Sequence, residues 1–472
     1  MRNGSAPVST PIYNRLRAAI LAGQVKPGDR LPASRVMARE AGVSRNSVLA
    51  AWDRLMTEGY LEARPGSATR VRRDLPHEPA AARPAGAPLS LSAWARGLDH
   101  VPDEYPPSPL PWDFRSTQPA VDELPLALWR RTSGQVWRSL TARDLDYQEP
   151  AGRRELRVAL ARQLGLQRGV KAEPDHIVIV HGAQQALDLL ARLLIQSGDR
   201  VLMEQPGYAG ARLAFTAEGA SVIPIPVDRE GLRTGDLPRN AKLLYTTPSH
   251  QYPTGAVLPL ERRLALLAWA AEANALIVED DYNAEFRYEG RPVQALQGLD
   301  AGGRVAYVGT FSKTLFPALR IGYVVAPPVL VDPLMRAKWL TDQHVATEPQ
   351  LLLARLIDDG HLDRYVRRMT KIYAAKARLL QTALRPAADA LAVPSPVQGL
   401  HLYCPLTAGI DPVQLVQKAA AEGVGLRWTP GPGGPGLIMG FARLSEAQIM
   451  EGGRRLATVL QREASIQRRG PR

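Results

Sequence analysis

The sequence predicts a small, strongly basic helical unit at the front, a proline-rich connector, and a large α/β domain on a mostly parallel central sheet, ending in a small α+β part. Three observations carry this reading. The formal net charge is +13, and residues 1–73 hold 13 basic against 5 acidic side chains, a net of +8. Such concentration marks a polyanion-binding module, or else a solvated basic surface in an arginine-rich chain. Pro76, Pro79, Pro84, Pro88, Pro102, Pro106, Pro107, Pro109 and Pro111 then punctuate an alanine-rich stretch, which reads as a stiff-to-irregular linker. From Trp112 onward, short apolar runs rich in β-formers alternate with helical ones, the rhythm of a parallel sheet covered on both faces. The expected divisions are 1–73, a linker over 74–111, and a domain over 112–465 with its large part at about 140–335 and its small part at about 336–465.

Composition narrows the class. A chain of 472 residues exceeds one ordinary domain, and 45% hydrophobic with 22% charged residues are globular values. No run approaches the roughly 18 unbroken apolar residues of a membrane span, and Met1 to Pro7 lack the apolar core of a signal peptide. Cys404 is the single cysteine, so no internal disulfide can form, and it reads as a small buried residue. A cytoplasmic protein is expected, with no membrane partner, and no metal is called for.

In the front unit, Ile12, Leu16, Ile20 and Leu21 have helical spacing, closed by the turn Lys26-Pro27-Gly28-Asp29. Ser34 is expected to cap a short helix from Arg35 to Glu40, and Ser44 a third helix from Arg45 to about Glu58, with Val48, Ala51, Trp52 and Leu55 on its inner face. Two short helices joined by Ala41-Gly42-Val43-Ser44 fit a helix-turn-helix whose second helix reads DNA. Tyr60 to Arg72 looks like a two-stranded wing turning at Pro65-Gly66. The candidate DNA contacts are Arg35, Arg45, Asn46, Ser47 and Arg64, with Arg70 and Arg72 on the wing; Ser34 and Ser44 are caps whose helix N-termini also face phosphates. Leu89 to Leu98, with Trp94, is expected to form a short helix docking on a neighbouring surface.

In the large domain, strands are expected near Val178, at Arg200–Met203, Ser221–Ile223, Lys242–Tyr245, Ala275–Val278, Val305–Val308 and Tyr323–Val325. Lys313 lies in Thr310-Phe311-Ser312-Lys313-Thr314, just past one of them. Only 8 of the 59 basic residues are lysines, so a position needing charge alone would usually be arginine, whereas an amine that condenses with an aldehyde must be lysine. By itself it reads equally as a surface lysine. The run Leu276 to Tyr282 emerges into Asp280, Asp281 and Tyr282 at a strand's carboxyl end, where open α/β sheets bind ligands. Pyridoxal phosphate needs a carboxylate against its ring nitrogen to act as an electron sink, and gains from a phenol beside its ring hydroxyl. Either aspartate alone also reads as a cap or turn former. His181-Gly182-Ala183-Gln184, between a strand and a helix, has the form of a backbone anion site.

With these residues in view, the front unit resembles a GntR-type winged helix, through Leu31-Pro32-Ala33-Ser34-Arg35 and Ser44-Arg45-Asn46-Ser47-Val48. Residues 112–460 resemble fold-type I aminotransferases, and the two in this order resemble the MocR subfamily of bacterial regulators over nearly the whole chain. The resemblance implies that Lys313 holds pyridoxal phosphate as a Schiff base, that Asp280 rather than Asp281 pairs with the pyridinium nitrogen, and that Tyr282 meets the ring oxygen. It further implies that Ala183 and Gln184, through their backbone, together with Thr310 and Arg320 hold the phosphate. Tyr208 would stack on the ring, and Tyr147 would reach the phosphate of a neighbouring subunit, making a homodimer.

The chain also departs from the aminotransferase pattern. Tyr252, not Asn, precedes Pro253-Thr254-Gly255; Ile438 stands in the run Leu437 to Phe441 where an arginine usually clamps the amino-acid carboxylate; and Ala209-Gly210 after Tyr208 offers no charge. Arg427 or Arg443 could substitute, because carboxylate recognition needs a guanidinium fork. These departures argue against an efficient aminotransferase. The expectation is a DNA-binding transcription regulator of double-stranded operator DNA that senses pyridoxal phosphate, or an amine or amino acid joining it as an external aldimine. The alternatives are a working aminotransferase with an accessory N-terminal unit, and a DNA-binding protein whose large domain only dimerises.

Overall fold

The computed structural model describes residues 9–64, 68–75, 89–96, 98, 109–290, 293–394, 397–407 and 409–469. The chain divides into two compact units, Met1–Ser92 and Ala93–Arg472. In the first, α1 (Ser9–Leu21), α2 (Ser34–Glu40) and α3 (Arg45–Thr57) precede two short antiparallel strands, β1 (Leu61–Glu62) and β2 (Arg70–Val71). Ile12, Leu16 and Ile20 recur every four residues and pack on Val48, Ala51, Trp52 and Leu55 of α3 and on Leu61 and Val71 of the wing. Leu21 departs from the expected stripe and is 46% exposed, because one further residue turns it about 100° away from Ile20. Gly42, at φ +65°, makes the turn between α2 and α3 in a conformation costly for other residues. The wing tip at Pro65-Gly66 and most of the 74–111 linker lie outside the described residues.

Two capping expectations divide. The Ser44 hydroxyl accepts from the Ser47 N–H at 3.1 Å and caps α3. Ser34 does not cap: it is the first residue of α2, and its hydroxyl instead accepts from Arg45 Nε at 3.2 Å. The helix begins one residue early, so the hydroxyl points across to the neighbouring helix and not back to its own N–H groups.

The second unit starts with α4 (Ala93–Arg96), β3 (Trp112–Asp113), α5 (Leu126–Ser139) and α6 (Arg154–Arg168). The main sheet has eight strands: β4 (Ile177–Val180), β5 (Arg200–Gln205), β6 (Ser221–Asp228), β7 (Gly231–Leu232), β8 (Leu243–Thr246), β9 (Leu276–Asp281), β10 (Val305–Thr310) and β11 (Gly322–Val325). Their spatial order is β4-β11-β10-β9-β8-β5-β6-β7. From β10 through β6 the neighbours are parallel, and β11 runs antiparallel to β10 and β4. Strand alternation feeds both faces. Val178, Val201, Met203, Val278 and Val308 pack under α7 (Ala183–Leu194) and α8 (Ala209–Ala217), whereas Leu202, Leu244, Ile277 and Val305 pack against α9 (Leu260–Glu272).

Next come α10 (Leu296–Leu299), α11 (Pro328–Asp342), α12 (Thr347–Asp358) and α13 (His361–Leu384). The chain closes with β12 (His401–Pro405), α14 (Pro412–Ala421), β13 (Val424–Gly425), β14 (Arg427–Gly431), β15 (Gly434–Gly440) and α15 (Glu446–Arg469). Strands β12, β15 and β14 form a separate antiparallel sheet, and β3 pairs in parallel with β13. Cys404 is buried within β12. Among the described residues no helix is long and apolar enough to cross a membrane.

Candidate functional site

Strand β9 continues through Asp281, three carboxylates beyond its apolar run, and the pleat sends alternate ones to opposite faces. On one face Glu279 accepts from the Leu296 and Gln297 N–H groups, each at 2.8 Å, and Asp281 accepts from the Arg168 guanidinium at 2.8 Å and the Tyr307 hydroxyl at 2.7 Å. Asp280 lies on the other face and takes one bond, from the Tyr245 hydroxyl at 2.7 Å; its Oδ1 is buried without a partner. Burial pushes its pKa up to about 7 against the pull of the Tyr245 bond. The Tyr282 hydroxyl is likewise buried without a partner. Asp281 is therefore occupied structurally, and Asp280 has an oxygen to offer.

Strand β10 ends at Thr310, whose Oγ1 accepts from the Ser312 N–H at 3.2 Å. Lys313 follows in the loop, half-buried, with Nζ donating to the Thr117 carbonyl at 3.3 Å and approaching Thr117 Oγ1 at 3.4 Å. Burial, and then the charge of Arg427, bring its pKa down to about 8, opposed by the attraction of Asp280. The amine looks into a hollow of about 580 Å³, lined among others by Arg115, Arg427 and Arg443.

Across the sheet end, Gly182 at φ +83° leads into α7, so the N–H groups of Ala183 and Gln184 fall in the first turn, where a helix leaves its donors without internal partners. Arg320 bonds the His181 carbonyl through Nη2, and its guanidinium lies 3.3 Å from where a Gly182 Cβ would stand. A side chain there would crowd the cation by a few tenths of an ångström, and φ +83° itself favours glycine. The Tyr208 hydroxyl donates to Gln184 Oε1 at 3.1 Å, and burial raises its pKa to about 12. Gln184, Tyr208, Tyr252, Arg320 and Arg427 line a cleft of about 810 Å³, and Trp94 of the short helix α4 and Leu98 just after it line it too. Arg427 borders both hollows and donates to the Tyr252 hydroxyl at 2.5 Å. Tyr147 stands apart in another surface hollow, 78% exposed, with its ring edge-on to His344 at 6.1 Å.

Three residues escaped the sequence reading. Arg168 separates the two aspartates by claiming Asp281, Tyr245 fixes Asp280, and Thr117 receives the lysine. Only Tyr245 carried a signal, as a polar-tipped residue near the end of an expected strand.

In the front unit Arg35, Arg45, Asn46 and Arg64 are exposed. Arg45 and Asn46 open α3, with Arg45 held to Ser34, while the Ser47 and Ser44 hydroxyls bond each other at 2.9 Å. Arg70 is half-buried and donates to the Gly28 carbonyl at 3.1 Å, and Arg72 pairs with Asp74.

Comparison with known proteins agrees with both halves. Residues 9–71 match the model of bacterial regulatory proteins of the gntR family, and residues 123–448 that of aminotransferase class I and II. The chain is 38% identical over 464 residues to the probable rhizopine catabolism regulatory protein MocR of Rhizobium meliloti, covering 96% of this chain and 93% of that protein. It is 33% identical to the pyridoxine biosynthesis transcriptional regulator PdxR of Corynebacterium glutamicum, over 81% of this chain and 80% of that one. A crystal structure of Pyrococcus horikoshii kynurenine aminotransferase in complex with PMP superposes with a TM-score of 0.69 at 30% identity, over 76% of this chain and 92% of that one. A gntR-type DNA-binding unit continued by an aminotransferase-like domain, related over nearly its full length to regulators of that build, places the chain in the MocR family of GntR-type transcription regulators.

Proposed function

We propose that this regulator holds pyridoxal phosphate at the end of its main sheet and that occupancy of this site changes how the front unit meets operator DNA. The observation that carries the reading is the open Oδ1 of Asp280. A buried polar atom left without a donor costs ~1–3 kcal/mol or more, so the position suits a donor that arrives with a ligand, and a protonated ring nitrogen is one. The Tyr282 hydroxyl, equally unpartnered, suits the ring oxygen. Lys313 supplies the amine; the Ala183 and Gln184 N–H groups, the Thr310 hydroxyl and Arg320 suit a phosphate; Tyr208 covers the ring. Bound there, pyridoxal phosphate supplies an aldehyde and an electron sink. Tyr147, exposed and outside this cleft, is assigned to the phosphate of a second copy, which makes the working form a homodimer. The effector is pyridoxal phosphate itself or an amine or amino acid that joins it, and the site of action is the cytoplasm.

Arg45 and Asn46, at the exposed start of α3, are assigned to base edges, with Arg35, Ser44, Ser47, Arg64 and Arg70 on the backbone or alongside. A footprint on the protein's own upstream region, with and without pyridoxal phosphate at one stated salt concentration, tests the switch. The two patterns should differ, with a coupling on the order of 1–3 kcal/mol; identical patterns would sink it. Arg45→Ala should weaken operator binding by about 1–3 kcal/mol, and parent-like binding would remove α3 as the reading helix.

Loading has its own signature. The neutral amine is the reacting form, and Lys313 sits near 8. The rate of cofactor uptake should rise about tenfold per pH unit below pH 8 and flatten above it. A rate still climbing at pH 10 would mean an unshifted lysine. A second reading, turnover as an aminotransferase, draws on the retention of Lys313 and Asp280; steady transamination undiminished by deleting residues 1–72 would favour it.

A further inference from the structure

We infer that His181 and Asp342 are positioning residues for the cofactor's phosphate. They hold Arg320 and the start of α7 as one cradle, and so set the preference for pyridoxal phosphate over pyridoxal, on the reading above that this cradle takes the phosphate. Arg320 stands at φ +52°, a left-handed conformation that a residue with a side chain keeps only where its surroundings fix it. What fixes it is a two-way clasp. The Arg320 guanidinium donates to the His181 carbonyl, and the His181 ring returns to the Arg320 carbonyl, with Nδ1 3.3 Å away. The side chain of each residue holds the main chain of the other. His181, Gln185 and Arg320 all line the cleft of about 810 Å³.

A third element anchors the clasp. His181 Nε2 lies 3.0 Å from Asp342 Oδ2, at the end of α11. The same oxygen accepts from Gln185 Nε2 at 2.9 Å, and Gln185 Oε1 accepts the His181 N–H at 2.7 Å. One turn earlier in α11, the buried Lys338 donates to both Asp342 oxygens, at 2.8 and 2.9 Å. One carboxylate thus ties together α11, the turn before α7 and the first turn of α7, which carries the Ala183 and Gln184 N–H groups. Lys338 offsets its charge, so the hub adds little repulsion toward an anion nearby. The His181 carbonyl takes one N–H from Arg320 without cancelling its charge, which a phosphate would meet. Such a contact is effective only while the donors stay within about 0.5 Å of their place.

The test titrates the full-length chain, freed of cofactor, with pyridoxal phosphate and separately with pyridoxal, following the visible band of the lysine-bound form. The ratio of the two affinities is the readout, with the melting temperature recorded for every variant. His181→Ala should lower that ratio by about tenfold or more, while affinity for pyridoxal stays within about threefold of the parent. Asp342→Asn, of the same size, should lower it in the same direction. The two changes together should cost little more than His181→Ala alone, because both act through one cation. His181→Gln, which can return an N–H toward Asp342, should recover part of the ratio. Arg320→Ala marks the full loss. A ratio in His181→Ala within about threefold of the parent's, or losses that fall equally on both aldehydes, overturns the inference alone. A parent that takes both aldehydes equally well, or an Arg320→Ala variant with the parent's ratio, overturns the phosphate assignment beneath it.

Discussion

Lys313→Ala is expected to remove the visible absorption of the lysine-bound cofactor completely, since among the described residues Lys313 is the amine whose charge acts on Asp280, and without it the aldehyde would have nothing to condense with. Among the eight lysines of the chain, Lys338 and Lys376 are also buried, but Lys338 is tied to Asp342 at 2.8 Å and Lys376 to the Ala442 carbonyl at 2.8 Å. Neither lines the hollow that Lys313 faces. The front unit has its own hydrophobic cluster, built from α1, α3 and the wing. Operator affinity measured without cofactor should therefore change by no more than about 0.5 kcal/mol, as for residues that share no packing partner. Spectra and operator titrations on one preparation separate the outcomes. A residual visible band would move the cofactor to another amine, and loss of both band and operator binding would make Lys313 a folding residue.

The order of strands and helices could be read from the chain because apolar periodicity is a local property, and the run Ile177 to Val180 or Val305 to Val308 announces a buried strand wherever it falls. The apolar pattern ends the strand of Asp280 at Val278, where the run gives way to polar residues. The structure carries it to Asp281, since each carboxylate finds a donor from afar: Leu296 and Gln297 for Glu279, Tyr245 for Asp280, Arg168 and Tyr307 for Asp281. The same limit hid the pairing of Trp112-Asp113 with Val424-Gly425, more than 300 residues on. Ser34 failed as a cap for a smaller reason: a one-residue shift in the helix start redirects a hydroxyl, and sequence does not fix ends that finely. At the site, Lys313, Asp280 and Tyr282 were legible as a lysine, acid and phenol set at strand ends, whereas what orients them was not. Thr117 lies 196 residues from Lys313 and Arg168 lies 113 from Asp281.

Arg168→Ala should be the most damaging single change in the second unit that touches no ligand. The side chain is buried, and it donates to Asp281 at 2.9 Å from Nε and 2.8 Å from Nη2, to Ser249 Oγ at 2.6 Å, and to the Val293 carbonyl. Alanine leaves the Asp281 carboxylate in the interior with only the Tyr307 hydroxyl, and breaking a buried pair from one side costs about 3–5 kcal/mol. Denaturant midpoints of the isolated variants and of Arg168→Met with Asp281→Asn test the cause. If the stranded charge is responsible, the double change should regain a large part of the loss, although Ser249 and Val293 still lack their donor. The consequence reaches the cofactor as well. Asp281 already pushes the Asp280 pKa upward, and without Arg168 to offset it that push grows, which weakens the carboxylate that a ring nitrogen needs. Arg168→Ala should therefore also lower the visible cofactor band at neutral pH. A loss below about 1 kcal/mol would mean that Asp281 is not held by this pair, and the reason for assigning the ring nitrogen to Asp280 and not to its neighbour would go with it.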